Sequence, residues 1–197
     1  MDIEAVSELI QSRQSLYPAQ MEPGAQIPDE AIWKLLKNAN YAPSHKRTEP
    51  WRFIVFSEEG VDQFFKAMGE IYQQVTPKEE FKAEKLEKFK RKAGIISHVI
   101  AVGMKRDEKE RIPIQEEEYA VACAVQNIML STKSLNIIGY WGTGKLAYTD
   151  EMKSFLGLGK EDKCMGFLQL GVPKEGLPDL EKKQMSEIEE KVTWIKE

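Results

Sequence analysis

Cysteine and histidine are scarce in this sequence, whose 197 residues include only two of each. Cys123 and Cys164 lie far apart without Cys-x-x-Cys spacing, and His45 and His98 stand alone. Because zinc sites need clustered cysteine and histidine ligands at short spacings, the sequence predicts no metal centre. Both cysteines are predicted to be reduced residues of the core, as is usual in the cytoplasm.

The sequence also lacks long apolar runs and an excess of basic residues. No stretch approaches the length of a membrane span, and the first residues follow an amphipathic helical pattern rather than that of a signal peptide. The formal net charge is −4 and no basic block stands out, so nucleic acid is not an expected partner. We therefore expect a cytoplasmic protein with one domain over residues 1–197 and no membrane contact.

Three common catalytic or nucleotide-binding signatures are missing as well. There is no Gly-x-Ser-x-Gly elbow to supply the nucleophile of an α/β-hydrolase, and no glycine-rich dinucleotide fingerprint follows the first predicted strand. Residues 139–145 read Gly-x-x-x-x-Gly-Lys, but Leu146 stands where a P-loop requires Ser or Thr. What remains is a glycine-rich turn after a strand, whose N–H groups suit an electron-rich ligand.

The hydrophobic pattern predicts an irregular succession of helices and strands. Apolar residues at helical spacing predict helices over 3–12, 28–39, 61–75, 116–135 and 149–156. Short β-branched and aromatic runs predict strands at 51–56, 99–104, 136–141 and 164–170. Because the two types do not alternate regularly, we predict an α+β fold rather than a doubly wound parallel sheet.

Residues 78–92 form a highly charged segment with a narrow apolar stripe. Glu84–Lys88 and Glu87–Arg91 have the four-residue spacing that favours pairing on a helix. The pattern is typical of a solvated surface helix. A mobile lid near a site and a surface for a protein partner remain alternatives.

The loop between the second helix and the first strand is the most informative part of the chain. Pro43 ends the helix, a short basic and polar stretch follows, and Pro50-Trp51 begins a buried strand. Groups that bind ligands are held best between rigid elements, so this loop is a candidate site.

The pattern Ala-Pro-Ser-x5-Pro-Trp-Arg-Phe at residues 42–53 resembles a signature of the FMN-dependent nitroreductase family. Further stretches resemble that family in the same order along nearly the whole chain: 10–15, 119–127, 138–144 and 164–173. His45-Lys46 is most similar to the minimal, compact branch of the family.

This resemblance implies an α+β homodimer with a mostly antiparallel central sheet flanked by helices and FMN at the subunit interface. It also implies that NADH or NADPH reduces the flavin, which then reduces nitroaromatics, quinones or similar small aromatic acceptors in a ping-pong cycle. The flavin carries this chemistry, so no catalytic side chain is expected.

Site residues follow from the matched motifs. Arg13, Gln14 and Ser15 would hold the FMN phosphate or ribityl chain, and an arginine fork matches phosphate oxygens well. His45 and Arg47 would approach the flavin from the partner subunit. Three residues of the glycine-rich turn would line the isoalloxazine ring: Trp141, Gly142 and Thr143. Additional phosphate contacts from the tail would come from Lys182, Lys183 or Lys191.

Two other functions remain possible at this stage. Gln14, Tyr17 and Glu49 depart from the residues common in the family, which motivates a non-catalytic flavin-binding relative. A helical interaction protein that uses residues 78–92 is the third hypothesis.

Overall fold

A four-stranded antiparallel sheet forms the centre of the computed structural model, which describes residues 2–177 and 185–196. Its strands follow the order β1-β2-β4-β3, and every neighbouring pair is antiparallel. Their bounds are β1 Trp51–Ser57, β2 His98–Met104, β3 Ile138–Gly142 and β4 Lys163–Gly171. The predicted α+β class is confirmed.

Helices cover both faces of this sheet. The α-helices of the described residues are α1 Ile3–Ser12, α2 Asp29–Ala39, α3 Glu59–Val75, α4 Ala83–Ala93, α5 Ile114–Ser131 and α6 Asp150–Phe155, of which α1 buries none of its residues. On one face α2 and α5 pack against the sheet, with Leu35 and Ala124 buried over Leu168. On the other face α3, α4 and α6 surround Phe64 and Phe167. Phe167 and Leu168 belong to opposite cores because successive side chains of a strand alternate between faces.

The burial of β2 explains its uninterrupted apolar sequence. All seven of its residues are buried, since β2 has strands on both sides and helices above and below. His98 is the polar exception. Its Nδ1 lies 2.9 Å from Ser97 Oγ, and its Nε2 lies 3.3 Å from Asp29 Oδ1 at the start of α2. These contacts connect the first turn of α2 to the sheet. Because Ser97 is buried, a substrate cannot reach its hydroxyl.

Several sequence predictions need correction. Cys164 is buried as expected, but Cys123 is exposed on the outer side of α5. The long helix ends at Ser131, because a 3₁₀ turn and Asn136 in the left-handed region (φ 52°) reverse the chain into β3. Asparagine tolerates this conformation better than most residues. The charged helix begins only at Ala83, after turns that follow Pro77.

A buried carboxylate fixes the N-terminal end of α5. Glu117 is fully buried, and its Oε2 accepts a hydrogen bond of 2.7 Å from Arg106 Nη1. Its Oε1 accepts another of 2.9 Å from the backbone N–H of Asp107. Arg111 forms a bidentate ion pair with Asp107. These hydrogen bonds hold the pKa of the Asp107 carboxyl well below its usual range. The segment before α5 is therefore bound to the helix it precedes.

A bulge in β4 shapes the neighbouring end of β3. Val102 pairs with Gly166 whereas Gly103 pairs with Cys164, so Met165 is an extra residue in β4. Gly166 has φ +110°, and a Cβ there would lie 2.6 Å from the carbonyl oxygen of Gly142. Only glycine satisfies both requirements.

No helix among the described residues is long and apolar enough to cross a membrane.

We predict that Gly166→Ala destabilises the protein by more than about 1 kcal/mol. Alanine would have to adopt an unfavourable positive φ, and its Cβ would clash with the carbonyl oxygen of Gly142. Denaturant unfolding measures this, with Gly144→Ala as the control. A Cβ at Gly144 meets no atom within 4 Å, so that variant should stay within about 0.5 kcal/mol of the parent protein. Equal stability of the two variants would refute the steric argument.

Candidate active site

The segment that follows α1 lies along the free edge of the sheet. Arg13 caps α1, and the N–H of Leu16 donates a 3.0 Å hydrogen bond to the carbonyl of Gly139 in β3. Farther on, the N–H of Glu22 donates to the carbonyl of Val172 just after β4. These bonds bring the residues after α1 beside the edge strand β3 and the end of β4.

A cavity of about 950 Å³ opens between this segment and the C-terminal end of α5. Arg13 and Gln14 line it, as do Lys133, after α5, and Lys174, after β4. The carboxylates Glu22 and Glu175 also line it, so the charged lining carries three cations and two anions. Ser15 follows directly but is exposed and does not line the cavity. Lys133 and Lys174 were not expected as site residues, although Lys174 directly follows the Gly-Val-Pro that ends β4.

The other predicted residues of the same chain lie farther along β3. The Trp141 indole packs against the core under α2 and α5, and its Nε1 donates a 2.9 Å hydrogen bond to the carbonyl of Met165 in the bulge. Gly142 ends the strand and Thr143 is exposed beside it. These three residues stand three to five positions beyond Ile138, which lines the cavity. They are therefore about 10–16 Å farther along the strand.

His45 and Arg47 lie on a 3₁₀ turn at the opposite end of α5 from the cavity. His45 Nδ1 is 2.5 Å from Glu116 Oε2 in the first turn of that helix, whereas the cavity is lined by Met129 and Leu130 near its last turn. Glu116 and Met129 are roughly 20 Å apart along the helix. The structure of one chain thus separates His45 and Arg47 from Arg13 and Gln14.

Lys191, the candidate tail lysine within the described residues, does not line the cavity. Lys182 and Lys183 lie outside the described residues. Lys191 donates hydrogen bonds to Ser186, at 3.2 Å to its carbonyl and 2.5 Å to its hydroxyl.

Comparison with known proteins shows the family of this chain. The model of the nitroreductase family matches residues 10–172. The chain belongs to the nitroreductase family. It is 31% identical over 178 residues to the candidate NAD(P)H nitroreductase YfhC of Bacillus subtilis, with 89% of this chain and 88% of that protein covered.

Solved nitroreductase structures share the fold. A nitroreductase-like protein from Bacillus cereus superposes with a TM-score of 0.82 at 23% identity, over 98% of this chain and 96% of that one. A nitroreductase homologue from Desulfovibrio desulfuricans, solved in complex with FMN, gives a TM-score of 0.68 at 18% identity, over 97% and 96% of the two chains. At these identities the likeness concerns the fold alone.

A half-buried polar cluster in this protein links α4 to the edge strand β3. Lys92 Nζ donates to Tyr140 Oη at 2.7 Å, and Tyr140 Oη donates to Gln169 Oε1 at the same distance. The exposed ring of Tyr17 lies 5.0 Å from that of Tyr140. Burial lowers the pKa of Lys92, and burial, followed by the nearby Tyr17, raises the pKa of Tyr140 to about 12. The cluster fixes the chain between the Arg13 cavity and the end of β3.

The raised pKa of Tyr140 gives a predicted pH dependence. Between about pH 10 and 12 a tyrosine of the unfolded chain ionises while folded Tyr140 stays neutral, so the unfolded state binds fewer protons and stability falls as pH rises. Burial of Lys92 acts in the opposite sense, because its lowered pKa lets the folded state release a proton first, but this effect ends near pH 10.5, the ordinary pKa of lysine. Unfolding free energies measured across this range should fall less steeply for Tyr140→Phe than for the parent protein. Parallel curves would contradict the prediction.

Proposed function

We propose that this nitroreductase is a homodimeric, FMN-dependent oxidoreductase of one domain. It moves electrons from NADH or NADPH to nitroaromatics, quinones or similar small aromatic acceptors. The observation that carries the proposal is the cationic cavity at Arg13, beside a glycine-rich strand end, in a chain that matches the family over most of its length.

The cavity suits the phosphate end of FMN. Arg13, Lys133 and Lys174 surround it with three positive charges, and an arginine fork binds phosphate oxygens through two parallel hydrogen bonds. The carboxylates of Glu22 and Glu175 offset part of this positive charge. A volume of about 950 Å³ lies within the range typical of cofactor sites.

The C-terminal end of β3 suits the isoalloxazine ring of FMN. FMN carries its phosphate and its ring at opposite ends of the molecule, so two sub-sites separated along one strand match its shape. Trp141 is anchored by its bond to Met165, and Gly142 and Thr143 continue the backbone at the edge of the sheet. Their N–H groups would stabilise the negative charge that a reduced flavin carries.

The remaining half of the site would come from a second copy of the chain. His45 and Arg47 lie at the opposite end of α5 from the cavity that Arg13 lines, so we assign them to the flavin of the partner subunit. Several apolar side chains of the described residues are also exposed to solvent. Helix α1 buries none of its residues, and Trp194 and Ile195 are 77% and 81% exposed. Tyr119, 66% exposed, and Cys123 form an outer face on α5. A dimer covers such surfaces and combines both halves.

The protein's own part in the reaction is binding and orientation. FMN, when bound, supplies hydride acceptance and electron donation. The cations around Arg13 would hold the phosphate, the end of β3 would orient the ring, and donor and acceptor would bind in turn. No side-chain acid, base or nucleophile is assigned.

An anaerobic absorption spectrum tests the proposed function. The purified protein should show flavin bands at about one FMN per chain, and these should bleach on addition of NADPH or NADH. Bands that bleach with neither donor would favour the non-catalytic flavin-binding relative. A protein that stays colourless after reconstitution with FMN would refute the cofactor and the site.

Complementation between chains tests the shared site. Arg13→Ala homodimers should bind FMN about 1.5–3 kcal/mol more weakly, as expected for a lost charge-assisted hydrogen bond, and His45→Ala homodimers about 1.5 kcal/mol more weakly, as expected for a lost neutral one. In an equal mixture made by co-expression, about one quarter of the sites combine two unaltered halves and should regain tight binding. Arg91→Ala, an exposed arginine on α4, is the control and should bind as the parent does. No recovery in the mixture would mean that one chain forms the whole site.

A further inference from the structure

The imidazole of His45 is held by one carboxylate. Its Nδ1 lies 2.5 Å from Glu116 Oε2, although the two side chains are 55% and 40% exposed. An ionised carboxylate only accepts hydrogen bonds, so the hydrogen of this bond resides on Nδ1. Within residues 2–177 and 185–196 no group bonds Nε2, which in a neutral ring is then an acceptor.

Glu116 is itself rigidly placed. The next residue, Glu117, is buried and bound by Arg106, which fixes the first turn of α5. A second tether joins the same regions, because Lys46 Nζ donates a 2.9 Å hydrogen bond to the carbonyl of Arg111. Two contacts therefore connect the turn that carries His45 to the segment around the start of α5.

The turn has a conformation that it would not keep unaided. Lys46 and Arg47 both have φ 51°, and Glu49 has φ 44°. Non-glycine residues rarely occupy this region, and they stay there when surrounding contacts hold them. The orientation of the His45 ring is thus imposed by its neighbours.

We propose that Glu116 is a positioning residue that holds His45 in the Nδ1–H tautomer and so presents Nε2 as a hydrogen-bond acceptor to the flavin. The matching donor is an N–H or O–H group, supplied by the flavin N3–H or by a ribityl hydroxyl. The flavin contact rests on the proposed function, whereas the tautomer rests on the geometry of one chain.

Nitrogen-15 NMR of the flavin-free protein tests the tautomer. The chain has only two histidines, so His45→Ala assigns both rings. At about pH 8.5, where an ordinary imidazole is neutral, His45 should carry its proton on Nδ1. Glu116→Gln should preserve this state, because the amide oxygen also accepts, and Glu116→Ala should lose it. The same tautomer in the parent and in Glu116→Ala would overturn the proposal.

Titration with FMN tests whether Glu116 acts through His45. Glu116→Ala should raise the Kd about tenfold and Glu116→Gln less than about threefold, as expected when a hydrogen bond is lost or kept. In the His45→Ala background, Glu116→Ala should cause no further loss. Glu118→Ala, which breaks the neighbouring ion pair with Lys163, is the matched control and should leave the Kd unchanged. Equal losses for Glu116→Ala and Glu118→Ala, or additive losses with His45→Ala, would contradict a positioning role.

Two flavin analogues identify the donor. If the donor is N3–H, His45→Ala should not weaken binding of 3-methyl-FMN. If it is a ribityl hydroxyl, His45→Ala should not weaken binding of lumiflavin, which lacks the ribityl chain. Equal weakening for FMN and both analogues would overturn the acceptor role of Nε2. Failure of the parent protein to bind any flavin would refute the proposed function and the flavin contact, but the NMR result would still stand.

Discussion

The packing of α5 against the central sheet is the constraint on which the rest of this structure depends. Val121, Ala124 and Ile128 bury one side of the helix over β2 and β4. Small residues among them let the helix approach the sheet closely. The two ends of α5 then define two separate regions: the His45 turn at its start and the Arg13 cavity at its end. The buried Glu117, bound to Arg106, sets where the helix begins and so where the first region lies.

Much of the fold could be predicted from the sequence because its signals are local. The continuous apolar run of β2 and the helical spacing in α2 each reflect burial that a short window reveals. The error at Cys123 also has a local cause, because its residue type favours the core whereas its position on α5 points outward. Glu117 differs in this respect. The sequence Glu116-Glu117-Glu118 gives no sign that the middle carboxylate is buried, since that depends on Arg106, which lies outside the helix.

The candidate site could be predicted only in part, for a different reason. Arg13, His45 and Trp141 were proposed from a resemblance to a family and not from periodicity or composition. The resemblance names residues but not distances, so it did not indicate that Lys133 and Lys174 line the Arg13 cavity. These lysines are separated by more than 100 residues from Arg13 and reach it through the pairing of the edge segment with β3 and the end of β4. Contacts between residues so far apart in the chain cannot be read from the local pattern of a single sequence.

The location of the two regions at opposite ends of α5 has a thermodynamic consequence. If each flavin is held by residues of two chains, flavin binding and association of the chains are one linked equilibrium. Dilution would then release cofactor even without any change in the site itself, and added flavin would hold the chains together. Cofactor content would report the concentration of the protein as much as the quality of its binding residues.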